Sequence, residues 1–192
     1  MDNLKLISLD RRHLGDFERL LGGREFGGCF CAVWRTPQDG WEERCKTRPR
    51  ENFEDTRRQV MEGRHIGFLA VREQDGVVVG WTGSGPKTAF GLMKERPGSR
   101  LGPFEDSIWA VGCISVAFAY RGLGYSREIL RLVVEEARKA GAKAVEACPF
   151  ETPSDDGASR GSKAMYEALG FIPAASEPSG DKTVLRMEKA LA

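Results

Sequence analysis

The order of hydrophobic patterns in this 192-residue chain predicts an α/β (α+β) fold with a mixed, mostly antiparallel central sheet of six to seven strands. Short apolar or alternating segments, typical of strands, alternate along the chain with segments of helical periodicity. A hairpin signal joins two of the strands, and an alternating, half-exposed strand lies near the end of the chain. Because strands and helices are interleaved, we expect helices on both faces of the sheet.

The first third of the chain predicts one strand followed by helices. Lys5–Leu9 has the pattern of a strand, and Arg12–Leu21 has that of a helix that two glycines end. Gln38–Glu62 is long and charged, with only a thin apolar stripe. We expect one or two helices there, broken near Pro49.

A β-hairpin is predicted in the next segment. Ile66–Arg72 and Val77–Ser84 have strand patterns, and the turn between them contains Asp75-Gly76, a pair that favours hairpin turns. Lys87–Gly102 follows as a loop rich in glycine, proline and charge. Loops of this length in compact domains are often functional, so we expect this one to contribute to a site.

The centre of the sheet is predicted from a long apolar segment. Ile108–Phe118 is apolar and β-branched enough to be a buried strand, and Arg127–Ala140 has the periodicity of an amphipathic helix. Gly141 ends this helix, and Ala144–Cys148 forms the next strand, which Pro149 closes. A strand, a helix and a second strand in this order predict the central unit of the fold.

The last part of the chain predicts one helix and two strands. Ser154–Gly161 is a polar loop, and Ser162–Leu169 is a helix ended by a glycine. Phe171–Ala175 is predicted as a strand, and Thr183–Lys189 alternates apolar and charged residues as a half-exposed antiparallel strand does.

Composition and charge indicate a single domain over residues 1–192, of a size common for enzymes. With 41% hydrophobic and 30% charged residues, the chain can bury one substantial core. A formal net charge of +1 disfavours nucleic acid as a partner. Because there is no apolar run of about 18 residues and no signal or transit pattern, we expect no membrane partner and a cytoplasmic location. Five cysteines without an export signal predict reduced thiols.

The segment between the central strand and the following helix is the most informative for function. It has the sequence Arg121-Gly122-Leu123-Gly124-Tyr125-Ser126. The two glycines allow a sharp turn, and the N–H groups and dipole at a helix start both attract anions. The sequence therefore predicts a pyrophosphate site at this turn.

Two common nucleotide motifs do not fit this segment. The dinucleotide motif G-x-G-x-x-G requires a third glycine, but position 127 is arginine. The triphosphate motif G-x-x-x-x-G-K-[ST] requires Gly-Lys-Ser or Gly-Lys-Thr, and neither occurs in the chain. The remaining pattern is R-x-x-G-x-[small].

This remaining pattern resembles the coenzyme A loop of the GNAT superfamily, the Gcn-type N-acetyltransferases, whose pattern is [RQ]-x-x-G-x-[GA]. Arg121 and Gly124 match it, and Ser126 stands where the family usually has Gly or Ala. Ile114-Ser115-Val116 is similar to the family's apolar strand end, and Tyr166–Phe171 resembles its Y-x-x-x-G-F segment. The resemblance covers roughly residues 64–189 and implies a GNAT-like sheet.

The resemblance implies acetyl-CoA as a cosubstrate, with no metal. It implies a coenzyme A-binding core at residues 64–192 and acceptor-side helices at residues 1–63. In the family the pantetheine arm lies in a gap between two central strands, and Ser159 stands where an Asn is frequent. The residues implied to bind coenzyme A are Ile114, Ser115, Val116, Arg121, Gly122, Leu123, Gly124, Tyr125, Ser126, Ser159 and Tyr166.

The implied reaction transfers an acetyl group to a primary amine by direct attack in a ternary complex. Tyr166 matches the family's tyrosine, and a phenol with a pKa of about 10 can donate a proton or hydrogen bond to a departing thiol. Glu146 is the first candidate for the base, because its strand borders the predicted gap. Proton transfer through water to bulk solvent is an equal alternative to a protein base. The other candidates are His65, Glu105, Asp106 and Glu151.

The acceptor is expected to be a small-molecule amine. The resemblance assigns its binding to Gly22–Trp41 and Ser84–Asp106, which carry aromatic residues and charges of both signs. An aromatic lining suits a small organic amine and an acidic lining a polycation, and neither dominates. A homodimer is a possible assembly.

Two alternatives come from other classes of protein. One is a non-catalytic module that binds acyl-CoA with the same fold. The other is a metal or redox sensor that uses Cys29, Cys31 and Cys45, with His65 as a further ligand. Zinc sites often use Cys-x-x-Cys pairs, whereas Cys-x-Cys directs its thiols to opposite sides when extended. Buried cysteines beside Trp34 are the simpler interpretation.

Overall fold

A seven-stranded sheet forms the centre of the molecule in the computed structural model, which describes residues 3–37, 41–152 and 159–191. The strands and α-helices are β1 (Leu4–Ser8), α1 (Leu14–Leu21), α2 (Trp41–Thr47), α3 (Pro49–Met61), β2 (Phe68–Arg72), β3 (Val78–Pro86), β4 (Ile108–Val116), α4 (Tyr125–Lys139), β5 (Ala144–Ala147), α5 (Lys163–Glu167), β6 (Ile172–Ser179) and β7 (Lys182–Ala190).

The sheet is mixed and mostly antiparallel, as the sequence predicts. Its strand order is β1-β2-β3-β4-β5-β7-β6. Only β4 and β5 run parallel, with Ile108 opposite Ala144, and every other neighbouring pair is antiparallel. Helix α4 connects these two strands, which is the connection that a parallel pair requires. The predicted fold class is therefore confirmed.

Helices cover both faces of the sheet and bury separate apolar clusters. On one face, Ile129 and Val133 of α4 are fully buried against the sheet. On the other face, Phe17 of α1 and Phe53 of α3 lie in a cluster around Trp81 of β3. The Phe17 and Trp81 rings are 4.7 Å apart in an edge-on contact. Burying each such side chain contributes about 1.5–3 kcal/mol, so these clusters stabilise the centre of the sheet.

A β-bulge at Gly112 changes the direction of β4. Gly83 of β3 pairs with Cys113, but the next residue of β3 pairs with Val111, so Gly112 is the extra residue. A Cβ at Gly112 would lie 2.9 Å from Nε1 of Trp34, a distance that leaves no room for a side chain. The bulge turns Val111 toward the α4 face and Cys113 toward the opposite face.

Beyond the bulge, β4 and β5 separate. They pair only over Ile108–Val111, although β4 continues to Val116. The chain after β5 stays with β7 instead: Leu185 N–H donates to Pro149 O at 2.9 Å, and Phe150 forms a bridge to Val184. A wedge-shaped gap therefore opens between β4 and the segment that follows β5.

Most predicted elements are present, with shifted ends. The helical segment is broken at Pro49, which begins α3, and α4 begins two residues before Arg127. The predicted loop at Lys87–Gly102 contains three short 3₁₀ helices. Most of the predicted loop Ser154–Gly161 lies outside the described residues. Within the described ranges, no helix has the length and apolar character needed to cross a membrane.

Candidate functional site

A cleft of about 1300 Å³ follows the gap between β4 and β5. Its walls are the end of β4, the glycine turn before α4, the segment after β5 and the N-terminal segment around Trp34. The predicted residues that line it are Ile114, Ser115, Val116, Arg121, Gly122, Gly124, Tyr125, Ser126 and Ser159. The fold thus brings most of the predicted coenzyme A residues to one cleft.

The glycine turn gives the cleft an anion-binding end. Gly122 and Gly124 have φ angles of 76° and 82°, a conformation that other residues rarely adopt. Gly124 is the N-cap of α4, and no side chain caps this helix. The first N–H groups of a helix have no partner inside it, so they and the helix dipole favour an anion here. Leu123, also predicted at this site, is exposed.

Arg121 is held beside this turn. Its Nε donates to Val116 O at 3.1 Å, and its guanidinium carbon lies 5.6 Å from the centre of the Phe118 ring and 5.9 Å from that of Phe26. The contact with the strand end fixes the arginine next to the helix start. Its remaining N–H groups are donors of the kind that phosphate oxygens accept.

The end of β4 offers backbone groups to the gap. Ala117 N–H donates to Val79 O of β3 at 2.9 Å. Because successive residues of a strand direct their backbone groups to opposite edges, those of Ile114 and Val116 face the β5 side, where pairing has ended. Ser115 directs its backbone groups to β3 and lines the cleft by its position on the strand. The open edge therefore has the pattern needed to bind an extended amide-containing chain.

Tyr166 is fully buried and, unlike most of the predicted coenzyme A residues, does not line the cleft. Its hydroxyl donates to Arg160 O at 2.7 Å, and its ring contacts Phe171 edge-on at 5.3 Å. A Cβ at Gly161 would lie 3.2 Å from the hydroxyl oxygen, so the backbone of residues 160–161 covers this group. Burial raises the pKa of Tyr166 well above its usual value. The phenol is therefore neutral, and the backbone of residues 160–161 separates it from the cleft.

Glu146 lies beside the cleft, in a buried network of charges. Its Oε1 is 2.5 Å from Nζ of Lys87 and accepts a hydrogen bond from Ser99 Oγ at 3.1 Å. Its Oε2 is 3.5 Å from Nη1 of Arg186 and has no hydrogen-bond partner among the described residues. Glu146 also lines a cavity of about 10 Å³ that shares Trp34, Gly112 and Arg160 with the large cleft. The small cavity thus lies between the Glu146 carboxylate and the cleft.

The other base candidates do not line the cleft. Glu105 accepts a hydrogen bond from Ser107 Oγ at 2.6 Å, and Asp106 accepts one from Thr88. Nε2 of His65 lies 2.7 Å from Ser84 O, to which it donates, and burial lowers the pKa of this histidine. Glu151 is exposed. Each of these groups is separate from the open edge of β4.

The cysteines of the N-terminal segment pack at the base of the cleft. Cys31 Sγ lies 3.1 Å from Cys113 Sγ and accepts a hydrogen bond from Trp81 Nε1 at 2.9 Å. The hydrogen bond to Cys113 and burial raise the pKa of the Cys31 thiol, and burial raises that of Cys29 to about 12. Across the described ranges, no three His, Cys, Asp or Glu residues are grouped so that they could hold a metal ion. These thiols therefore pack as neutral, protonated groups.

Two arginines in the cleft wall were missed by the sequence reasoning. Arg96 follows the second 3₁₀ helix of the loop between β3 and β4, and Arg160 precedes α5. Both line the cleft together with Trp34. The predicted functional role of the Lys87–Gly102 loop was the only sequence signal for Arg96, and the polar character of Ser154–Gly161 gave none for Arg160.

The fold and the cleft define an acetyltransferase of the GNAT class. The sequence profile of the acetyltransferase (GNAT) family matches residues 30–171, and the chain belongs to this family. The match confirms the family that the sequence predicts. A comparison with curated protein sequences gives no match.

Solved structures of similar fold include several acetyltransferases. A GCN5-related N-acetyltransferase from Kribbella flavida is 19% identical, with a TM-score of 0.58 over 98% of each chain. Salmonella typhimurium yncA, solved with its cofactor acetyl-CoA, is 17% identical, with a TM-score of 0.55 over 99% of this chain and 95% of the other. Aminoglycoside acetyltransferase AAC(6')-Ib, in complex with ribostamycin and coenzyme A, is 14% identical, with a TM-score of 0.62 over 98% of this chain and 94% of the other.

Proposed function

We propose that this protein transfers an acetyl group from acetyl-CoA to a primary amine of a small molecule, by direct attack in a ternary complex. The observation that carries the proposal is the gap between β4 and β5, which opens beside an uncapped helix start. An extended chain can bind along a free strand edge while its anionic end binds the helix N-terminus. Acetyl-CoA has this combination of groups.

The glycine turn fits a pyrophosphate group. Its two positive-φ glycines shape the backbone around the helix start, and Arg121 is fixed beside it by Val116 O. We propose that Arg121, Gly122, Leu123, Gly124, Tyr125 and Ser126 bind the pyrophosphate, chiefly through their backbone N–H groups. Ser126 in place of the family's Gly or Ala leaves that backbone donor intact.

The open edge of β4 fits the pantetheine arm. Backbone groups of Ile114 and Val116 face the gap, and Ser159 lines its far side. When bound, acetyl-CoA supplies an activated acetyl group and a thiol leaving group. An N–H group of the open edge stabilises negative charge on a carbonyl oxygen beside it, an effect worth about 3–4 kcal/mol in enzymes that use such donors.

Tyr166 is the proposed donor of a hydrogen bond or a proton to the departing sulfur. Its buried phenol holds its proton at neutral pH, because burial raises its pKa. To reach a sulfur atom in the gap, the hydroxyl has to exchange its hydrogen bond with Arg160 O for one to the sulfur. The role thus requires a small shift of the segment that contains Arg160 and Gly161.

Glu146 is the proposed proton acceptor, acting through water. It lines the cavity of about 10 Å³ beside the cleft, which is close to the volume that one water molecule needs. A water there would connect the cleft to the carboxylate. Two cationic groups flank this carboxylate: Lys87 Nζ lies 2.5 Å from its Oε1, and Arg186 Nη1 lies 3.5 Å from its Oε2.

The test is titration calorimetry with acetyl-CoA, followed by a thiol-release assay over a panel of amines. Gly124→Asp should abolish binding, because it adds a carboxylate and a strained φ where the pyrophosphate binds. Gly76→Asp is the matched control: Gly76 has a φ of 73° in the turn between β2 and β3 and does not line the cleft. No binding by the unmodified protein, or equal binding by Gly124→Asp, would contradict the proposal. Binding without turnover of any amine would favour a non-catalytic acyl-CoA-binding module.

A further inference from the structure

The wall of the cleft contains two arginines that have no ion-pair partner among the described residues, although Glu25 and Asp181 line the same cleft. Arg96 and Arg160 both line the cleft, and within the described part of the chain neither forms an ion pair. Arg96 Nη2 donates to Val33 O at 3.2 Å, and Arg160 Nη1 donates to Cys148 O at 3.3 Å. Each guanidinium has five N–H donors, so most of the donors remain available to a ligand.

In this respect the two arginines differ from half-buried arginines such as Arg44 and Arg186, which approach acidic groups. Arg44, for example, lies 2.5 Å from Asp55, and Arg186 lies 2.6 Å from Glu188. Burial, and then the nearby charge of Arg96, lower the pKa of Arg160. Like charges in a partly desolvated wall cost free energy, which an anionic ligand would recover.

Aromatic rings place Arg160 close to the point where the open edge of β4 begins. The guanidinium carbon of Arg160 lies 4.7 Å from the centre of the Phe150 ring and 5.9 Å from that of Trp34. Nε1 of Trp34 in turn packs against Gly112, the bulge at which β4 and β5 separate. The Trp34 ring thus lies between Arg160 and Gly112, where the open edge of β4 begins. The proposed pyrophosphate site lies at the other end of that edge, beyond Val116.

We infer that the acceptor is a small amine that also carries an anionic group, a carboxylate or a phosphate, which Arg96 and Arg160 bind while the amine approaches β4 beside Trp34. The inference rests on the proposed acetyl transfer and specifies its substrate class. Arginine forms bidentate hydrogen bonds with both anions. A polycation, the other acceptor class open from the sequence, would meet like charge at this position.

Matched amine pairs test the inference. Tyrosine and tyramine differ by one carboxylate, and phosphoethanolamine and ethanolamine by one phosphate; spermidine and kanamycin serve as polycations. With acetyl-CoA and a thiol-release assay, we expect kcat/KM to be at least about tenfold higher for the anionic member of one or both pairs, because hydrogen bonds to charged groups are worth that factor. The pair that shows this higher kcat/KM identifies whether the bound anion is a carboxylate or a phosphate. A preference for tyramine, ethanolamine or the polycations would overturn the inference.

Variants of Arg96 and Arg160 test whether these two arginines cause the preference for the anionic amine. In the double variant Arg96→Gln/Arg160→Gln, which keeps hydrogen-bonding groups but removes both charges, the preference should fall to about threefold or less. The KM for acetyl-CoA should stay within about twofold, because the arginines are assigned to the acceptor. Arg160→Lys keeps the charge and should retain most of the preference. Arg11→Gln, an exposed change of the same charge in the turn before α1, is the control. An unchanged preference in the double variant would overturn the inference.

A binding measurement covers the case in which the panel contains no substrate. The coenzyme A complex is titrated with N-acetyltyrosine and with N-acetyltyramine, which differ only in the carboxylate. Tighter binding of N-acetyltyrosine, lost in the double variant, supports the inference, and equal binding or no binding of both overturns it. Calorimetry with acetyl-CoA separates the two proposals: binding of acetyl-CoA without any anion preference overturns the acceptor class alone, whereas its absence overturns the proposed function.

Discussion

Replacing Glu146 by glutamine separates its proposed role as a proton acceptor from its role in the core. The side chains of Glu146 and Lys87 are 1% and 0% exposed, and their charged atoms are 2.5 Å apart. Glu146→Gln leaves Lys87 without its counter-charge. Breaking such a buried pair costs about 3–5 kcal/mol, a large part of the roughly 5–15 kcal/mol that stabilises a domain. For a chain of this length, we expect the melting temperature to fall by roughly 6–20 °C.

Lys87→Met provides the matched control, because it breaks the same pair and keeps the carboxylate. We expect a similar loss of stability, since Lys87 Nζ also donates to Ser99 O at 2.6 Å. The double variant should be less destabilised than the sum of the single ones, because no unpaired charge remains. Thermal and urea unfolding of the three variants measure these differences.

Activity then distinguishes the two roles of Glu146. At a temperature where both variants are folded, Glu146→Gln should lose about 10²–10⁴-fold in kcat, the usual contribution of a general base. Lys87→Met should keep its rate within about tenfold of the unmodified protein, since the proton acceptor is still present. Equal losses in both variants, or full activity of Glu146→Gln, would refute the reasoning and leave the pair a purely structural one.

Further predictions concern the phenol, the thiols and the buried histidine. Tyr166→Phe should lower kcat about 10²-fold at unchanged KM and cost only about 1 kcal/mol of stability, measured by thiol release and urea unfolding; an unchanged kcat would contradict it. Burial raises the pKa of Cys29 and of Cys148 to about 12, so a short iodoacetamide pulse at about pH 8 should leave both unlabelled in mass spectra, and labelling at the rate of free cysteine would contradict this. Burial lowers the pKa of His65 from its usual 6.5, so the unfolded state takes up a proton more readily below that pH. Stability should therefore fall as pH decreases below about 6.5, and His65→Gln should flatten this slope in urea titrations at several pH values.

Local patterns predicted much of the sheet. The hairpin of β2 and β3 follows from two strand patterns and a turn at Asp75-Gly76, where Gly76 has a φ of 73°. By contrast, β6 was predicted to end at Ala175 but extends to Ser179 through Pro178. Proline is tolerated there because β6 is the edge strand, and edge position depends on the order of the whole sheet.

The candidate site was likewise predictable only where its residues are neighbours in the sequence. The glycine turn was readable because the glycines and the helix start are neighbours in sequence. The bulge at Gly112 was not, since it depends on how β3 pairs with β4. The contacts of Glu146 with Lys87 and of Arg160 with Trp34 join residues far apart in the chain, so no local pattern indicates them.

A crystal structure of the protein with acetyl-CoA tests the central claim most directly. The account predicts the pyrophosphate at the N–H groups of the turn Arg121–Ser126 and the pantetheine arm in the gap, along Ile114 and Val116. The acetyl group should then lie near Gly112 and Trp34. Density for acetyl-CoA outside this gap, or a β4 edge without contacts to the pantetheine amides, would contradict the account.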